Sequence, residues 1–427
     1  MAVKFNKTTA IEIEHAVIDG VDISGHWSRM FEQRVIFEYT PELIEKVTDL
    51  PDAESFAYCY QCAKCVPVCP VDIVGDYGPR KLYKYAQTGT DLLQSPGLWL
   101  CTTCSNCLRV CPKEVNMIKI MPAAREQAIL DGNFVPKELQ DAFENTAKSG
   151  NPLGQPQRKR DAWAQNAGVT VPIIKDLARP VDVLWYVGSY PSYHPRGMDA
   201  ASAAARIFSA LGIDFAILGK EEKDDADTQR LAGEKGLFEM MSEHNIQTFN
   251  KYEWKEMVVT GPHELNAFKN EYPKYGFDRP VLHYTTFLAR YLDQLKPLLK
   301  HEINLKVTYH DPCYLGRHNG EYEAPRKLLQ AIPGVELVEM DRNRENGYCC
   351  GGGGGGMWMD SYTDKHIKMR LSEKRAMEAA STGVNVLAVA CPFEVSRFED
   401  AVKSTGNEHV GVLDILELLD QSMRGKQ

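Results

Sequence analysis

Apolar spacing divides the chain into regions of different texture. Over residues 1–50, Ile11, Ile13, Val17, Val21 and Ile23 alternate weakly with polar positions. Asp19-Gly20 and Ser24-Gly25 supply turn signals, so a small hairpin is expected in this N-terminal extension. A helix start follows at Pro41, because proline suits the first helical turn. Between 51 and 132 the pattern is helical: Pro79 opens a run that Gly89 stops, and a second run over 117–130 ends at Asp131-Gly132. Regular spacing then lapses over 133–178. Gly150, Pro152, Gly154 and Pro156 break it, and Arg158-Lys159-Arg160 reads as a solvated charge run, the marks of a linker. Beyond about 180, short buried-strand runs at 181–187, 215–218, 257–260, 305–309 and 384–389 alternate with helical stretches such as 200–211. That alternation predicts crossover units around a mainly parallel sheet.

Length and charge narrow the function classes. The chain has 427 residues, which suggests more than one domain. Its net charge of -9 leaves no basic excess to neutralise phosphates, so no nucleic-acid partner is expected. The start MAVKFNKTTAIEIEH has no apolar stretch after its lysines, and no run of about 18 apolar residues occurs. A cytoplasmic chain that meets membranes only through partners is expected.

The cysteines decide more. Of 12, eight lie between Cys59 and Cys111. CYQCAKCVPVCP at 59–70 recurs as CTTCSNCLRVCP at 101–112, each a C-x2-C-x2-C-x3-C-P run. Three thiolates on one tight loop grip three irons of a cube, and the fourth cysteine reaches the other cluster. The expected sets are Cys59, Cys62 and Cys65 with Cys111, and Cys101, Cys104 and Cys107 with Cys69. Disulfides suit small exported domains, and zinc gives no reason for the third loop cysteine. Two [4Fe–4S] clusters are therefore expected in 51–132.

The remaining cysteines sit in HDPCYLGR (310–317), in ENGYCCGGGG (345–354) and in CPFE (391–394). Cys313 and Cys391 follow predicted strands, whose C-terminal ends form the ligand crevice of open α/β folds. The glycines after Cys350 allow close backbone approach. At these residues the chain resembles the cysteine-rich (CCG) domain of heterodisulfide reductase and its relatives. WLCTTCSNCLRVCP (99–112) resembles that enzyme's ferredoxin subunit, and the resemblance runs from about residue 55 to the end. It implies an α+β multidomain fold: a helical ferredoxin domain followed by two α/β Rossmann-like CCG repeats, at 179–300 and 301–427.

The family pattern places five cysteines in each repeat. Here Ser189, Lys223, Asp224, Gly261 and Glu264 stand at those places in the first repeat, which is therefore expected to be a metal-free scaffold. The second keeps Cys313, Cys349, Cys350 and Cys391, with Glu394 at the fifth place. The resemblance implies a third iron–sulfur cluster there, of a non-cubane kind. Zinc or free thiols are the alternatives. Glu394 reads as a ligand, a proton donor or a surface residue. His310 and His318 are candidates for proton transfer and Arg317 for holding an anionic group, against ordinary packing or capping roles.

The leading functional reading is an iron–sulfur oxidoreductase subunit. It would move electrons between a flavoprotein partner and a disulfide or persulfide substrate, carried by a small molecule or a protein. No G-x-G-x-x-G follows a strand, so flavin or nicotinamide is expected on another subunit. The alternatives are a conduit to quinone, beside a flavin dehydrogenase for lactate, glycolate or glycerol 3-phosphate, and an assembly subunit whose last site holds zinc.

Overall fold

The computed structural model describes residues 40–75 and 77–425, together with four two-residue strands nearer the N-terminus. Those strands are β1 (Glu12–Ile13), β2 (Val17–Ile18), β3 (Val21–Asp22) and β4 (Gly25–His26). β2 pairs with β3 and β1 with β4, both antiparallel, giving two nested pairs around Asp19-Gly20. Gly25 lies within β4 instead of in a turn.

The helical region begins with α1 (Pro41–Thr48), α2 (Pro79–Gln87) and α3 (Met117–Leu130). Proline opens α2, and Gly89 follows it at φ +93°, a conformation glycine adopts at little cost. Asn116 caps α3 by accepting from the Ile118 N–H at 3.2 Å. Residues 133–178 are more ordered than a linker needs. They hold α4 (Lys137–Ser149), which buries Leu139, Ala142, Phe143 and Thr146 on one stripe. Within the charge run, Arg158 and Lys159 are exposed, but Arg160 is buried against Glu222 at 2.7 Å.

Two four-stranded parallel sheets follow. The first contains β5 (Val181–Tyr186), β6 (Phe215–Ile217), β7 (Trp254–Val259) and β8 (Val281–His283), in the order β6-β5-β7-β8. The second contains β9 (Leu305–Tyr309), β10 (Val335–Leu337), β11 (Val386–Val389) and β12 (Gly411–Asp414), in the order β10-β9-β11-β12. The same topology twice is an internal duplication. Helices α5 (Pro195–Ala210), α6 (Lys235–Phe249), α7 (Glu323–Ala331), α8 (Leu371–Ser381), α9 (Pro392–Ser404) and α10 (Ile415–Arg424) supply crossovers and covers. One apolar core runs through both units. Arg196 of α5 reaches Glu399 of α9 at 2.7 Å and Glu417 of α10 at 2.9 Å. Tyr284 donates to Asp414 at 2.7 Å. In each sheet the chain reverses direction at the strand pair β5/β7 or β9/β11, where such folds open a ligand crevice.

Candidate functional site

The two N-terminal cysteine loops are wound alike. Gln61 and Ala63 in the first, and Thr103 and Ser105 in the second, all have φ between +51° and +70°. Non-glycine residues held this way cost roughly 1–3 kcal/mol each, a strain that marks functional loops. Its repetition at matching places turns the cysteines of each loop inward. One cavity is lined by Cys59, Cys62, Cys65, Cys107 and Cys111. A second is lined by Cys69, Cys101, Cys104 and Cys107. Each cavity thus gathers a loop's three cysteines with the fourth cysteine of the other run. The first opens to solvent at Cys62, whereas Cys69 and Cys104 are buried. Burial pushes the Cys69 thiol up to about 12 and raises Cys59 and Cys65 as well. None of the twelve cysteines is disulfide-bonded. Unpaired thiols gathered around a cavity fit a metal centre that takes them as thiolates.

In the second α/β unit, Cys313 follows β9 and Cys391 caps α9 just after β11, so both stand at the crevice. Cys349 and Cys350 come from the β10–α8 crossover, and all four are buried. Gly353 and Gly354 press so closely on the cluster loop that an added Cβ would lie 2.4 Å from the Thr102 or Cys101 carbonyl oxygen. This contact seats Cys349 against the ferredoxin region. The neighbouring Cys104, Cys313 and Cys350 thiols hold its own thiol well below the usual thiol range. The Thr102 hydroxyl stands 3.4 Å from it. The loop that carries Cys349 and the second N-terminal cysteine loop are therefore packed directly against each other.

His310, Cys350 and Glu394 present ligand atoms within 4.8 Å of one another. Arg375 Nε donates to His310 Nδ1 at 3.2 Å, so a neutral His310 carries its proton on Nε2. That nitrogen stands 3.2 Å from Glu394 Oε1. Glu394 Oε2 is buried without a hydrogen-bond partner, and at 3 % exposure Glu394 is no surface residue. Cys313, Cys350, Cys391 and Glu394 line one side of a cavity whose opposite wall is Asp224, Asp225, His263 and Glu264 of the first unit.

That wall is knit into the protein itself. Ser189 Oγ donates to Asp224 at 2.5 Å, and Arg160 Nη1 donates to Ser189 Oγ at 3.3 Å. Burial pushes the Glu264 carboxyl up to about 7.

Arg317 and His318 reach the cluster loop instead of the cavity. Arg317 Nε donates to the Cys104 carbonyl at 2.6 Å and Nη1 to the Gly347 carbonyl at 2.7 Å. His318 Nε2 meets the Thr103 carbonyl at 3.0 Å, and burial lowers its pKa to about 4, so the ring is neutral and donates. Asp311 pairs with buried Arg326 at 2.7 Å. Arg125 carries no sequence signal beyond being the lone charge in an apolar turn of α3. It donates to the carbonyls of Leu98, Trp99, Cys101, Leu231 and Gly354, tying three regions together.

Strained cysteine loops joined to a duplicated α/β unit with a buried cysteine crevice define an iron–sulfur protein. Residues 55–115 match the 4Fe-4S dicluster domain family, and residues 307–393 match the Cysteine-rich domain (CCG) family. The chain belongs to the heterodisulfide reductase-like iron–sulfur oxidoreductases that fuse these two domains. It is 33% identical over 319 residues to a chain of the dihydromethanophenazine:CoB--CoM heterodisulfide reductase of Methanosarcina barkeri, covering 72% of this chain and 74% of that protein. It is 37% identical to the "Probable iron-sulfur-binding oxidoreductase FadF" of Bacillus subtilis, over 72% of this chain and 44% of that protein. The EtfAB:quinone oxidoreductase of Syntrophomonas wolfei is 32% identical over 71% of this chain and 43% of its own length. The chain thus spans less than half the length of these last two relatives. Among the described residues no helix is long and apolar enough to cross a membrane.

Proposed function

We propose that the chain is the electron-transferring and sulfur-reactive subunit of a heterodisulfide reductase-like complex. It exchanges electrons with a flavoprotein partner and acts on a disulfide or persulfide substrate. In this reading Cys59, Cys62, Cys65 and Cys111 hold one [4Fe–4S] cluster, and Cys69, Cys101, Cys104 and Cys107 the other. Cys313, Cys349, Cys350 and Cys391 hold a third, non-cubane cluster. The clusters, when bound, supply one-electron storage. The carrying observation is the seating of the Cys349 loop on the inner cysteine loop: Cys349 Sγ stands 3.4 Å from the Thr102 hydroxyl, and a Cβ added at Gly353 or Gly354 would lie 2.4 Å from the Thr102 or Cys101 carbonyl oxygen. Exposure of Cys62 supports the outer loop as the place where a partner exchanges electrons.

The crevice residues meet the needs of sulfur chemistry. Reducing R–S–S–R′ to R–SH and R′–SH takes two electrons and two protons. Glu394 Oε2 lacks a partner beside Cys350 and Cys391, and Oε1 faces the His310 Nε2 proton. The pair can hold a proton where a leaving thiolate forms. The reading is tested by turnover of small disulfides and persulfides by the purified complex. Glu394→Ala is expected to keep wild-type iron content while lowering turnover by about 10²-fold or more, the usual size of a general-acid contribution. Turnover unchanged in Glu394→Ala counts against the proton role.

A second reading is a conduit that does no chemistry of its own and delivers electrons to quinone. The relative named EtfAB:quinone oxidoreductase supports it. Absence of turnover with any disulfide or persulfide, alongside quinone reduction by the complex, favours this reading. In both readings we take the chain to work in the cytoplasm, with membrane contact made by partners.

A further inference from the structure

Buried Arg125 and half-buried Arg317, both beside the inner cysteines, are used differently. Arg125 has committed Nε, Nη1 and Nη2 to backbone carbonyls. Arg317 has committed Nε and Nη1 in the same way, but its Nη2 is shielded from solvent and meets no acceptor. A buried N–H without a partner is rare and calls for one. Cys104 belongs to the inner N-terminal set, and Gly347 lies two residues before Cys349 of the C-terminal set. Arginine is not deprotonated in proteins, so Arg317 is a permanent cation bonded to the backbone of both cysteine segments.

We propose that Arg317 is a shared positioning charge at the junction of the two centres, raising both reduction potentials together. The inference rests on the reading that both cysteine sets hold iron–sulfur clusters. Reduction adds negative charge to a cluster, and a nearby buried cation or N–H donor favours the reduced form. A charge beside only one centre would shift that centre alone and alter the step between them. A charge that faces both keeps the step small while moving the pair.

The experiment is an electron paramagnetic resonance redox titration of the full-length chain, prepared without oxygen, with iron measured on the same samples. Arg317→Gln is expected to keep its iron and to lower both midpoint potentials. Arg317→Lys, which keeps the charge, is expected to restore most of the shift. Full iron with unchanged potentials, or with one potential moved alone, overturns the inference. A wild-type chain without a third iron–sulfur signal overturns the underlying reading instead. Should Arg317→Gln fail to load iron, ¹⁵N-arginine-labelled protein decides. Nitrogen coupling on both signals, lost in Arg317→Lys, supports the inference, and coupling on neither or on one alone overturns it.

Discussion

The two α/β units share strand order and crevice position but differ in what fills the crevice. The second unit gathers four thiols, a histidine and a glutamate there. The first has Ser189, Asp224 and Glu264 at the corresponding places, and a buried ion pair, Arg160 with Glu222, behind them. Ser189 and Asp224 satisfy each other there, while Glu264 Oε2, like Glu394 Oε2 in the second unit, is buried without a hydrogen-bond partner. A unit without thiols at these places walls the cavity of the one that has them.

The comparison breaks most sharply at Cys349. Cys349→Ser is expected to remove the C-terminal centre and to disturb the inner N-terminal one, seen as lost iron and altered resonance signals. Ser189→Ala at the first unit is expected to change neither. Equal iron loss from the two variants would show that the first unit also holds metal.

Next in size is the network that replaces the cysteines. Arg160→Met leaves Glu222 buried without its cation, an event that costs about 3–5 kcal/mol. Denaturant unfolding should show this loss while iron per folded chain stays constant.

A smaller effect follows from Glu264. Its carboxyl ionises near 7 when folded, against about 4.3 when unfolded. The folded chain binds the proton more tightly, so this group's contribution is complete below about pH 4.3 and is lost as pH rises through 7. Glu264→Gln should flatten that decline and gain on the order of 3–4 kcal/mol at most at pH 8, read from unfolding at several pH values.

Much of this was legible in the sequence because cysteine spacing and apolar periodicity are local. The duplicated runs at 59–70 and 101–112, the helix at 117–130 and the five stronger strands all stand where the pattern puts them. β8, β10 and β12 were not legible: β6 and β11 are as short but wholly apolar and buried, whereas these three carry His283, Glu336 and Asp414 and are only partly buried. α4 was hidden by the glycines and prolines after it, although Leu139, Ala142, Phe143 and Thr146 carry a helical stripe. Long-range pairings were beyond reach. Nothing local to Arg158-Lys159-Arg160 tells the third residue to bury itself against Glu222. Nothing near Arg317 or His318 reveals that they hold carbonyls of the 101–107 loop, more than two hundred residues away.

The central claim is that the second unit carries an iron–sulfur centre in contact with the inner N-terminal cysteines. Metal analysis with Mössbauer spectroscopy on the full chain, purified without oxygen, tests it most directly. The account predicts more iron than two cubanes hold, with a component distinct from a cubane that disappears in Cys349→Ser. Zinc at the C-terminal site, or iron accounted for by two cubanes alone, would contradict it.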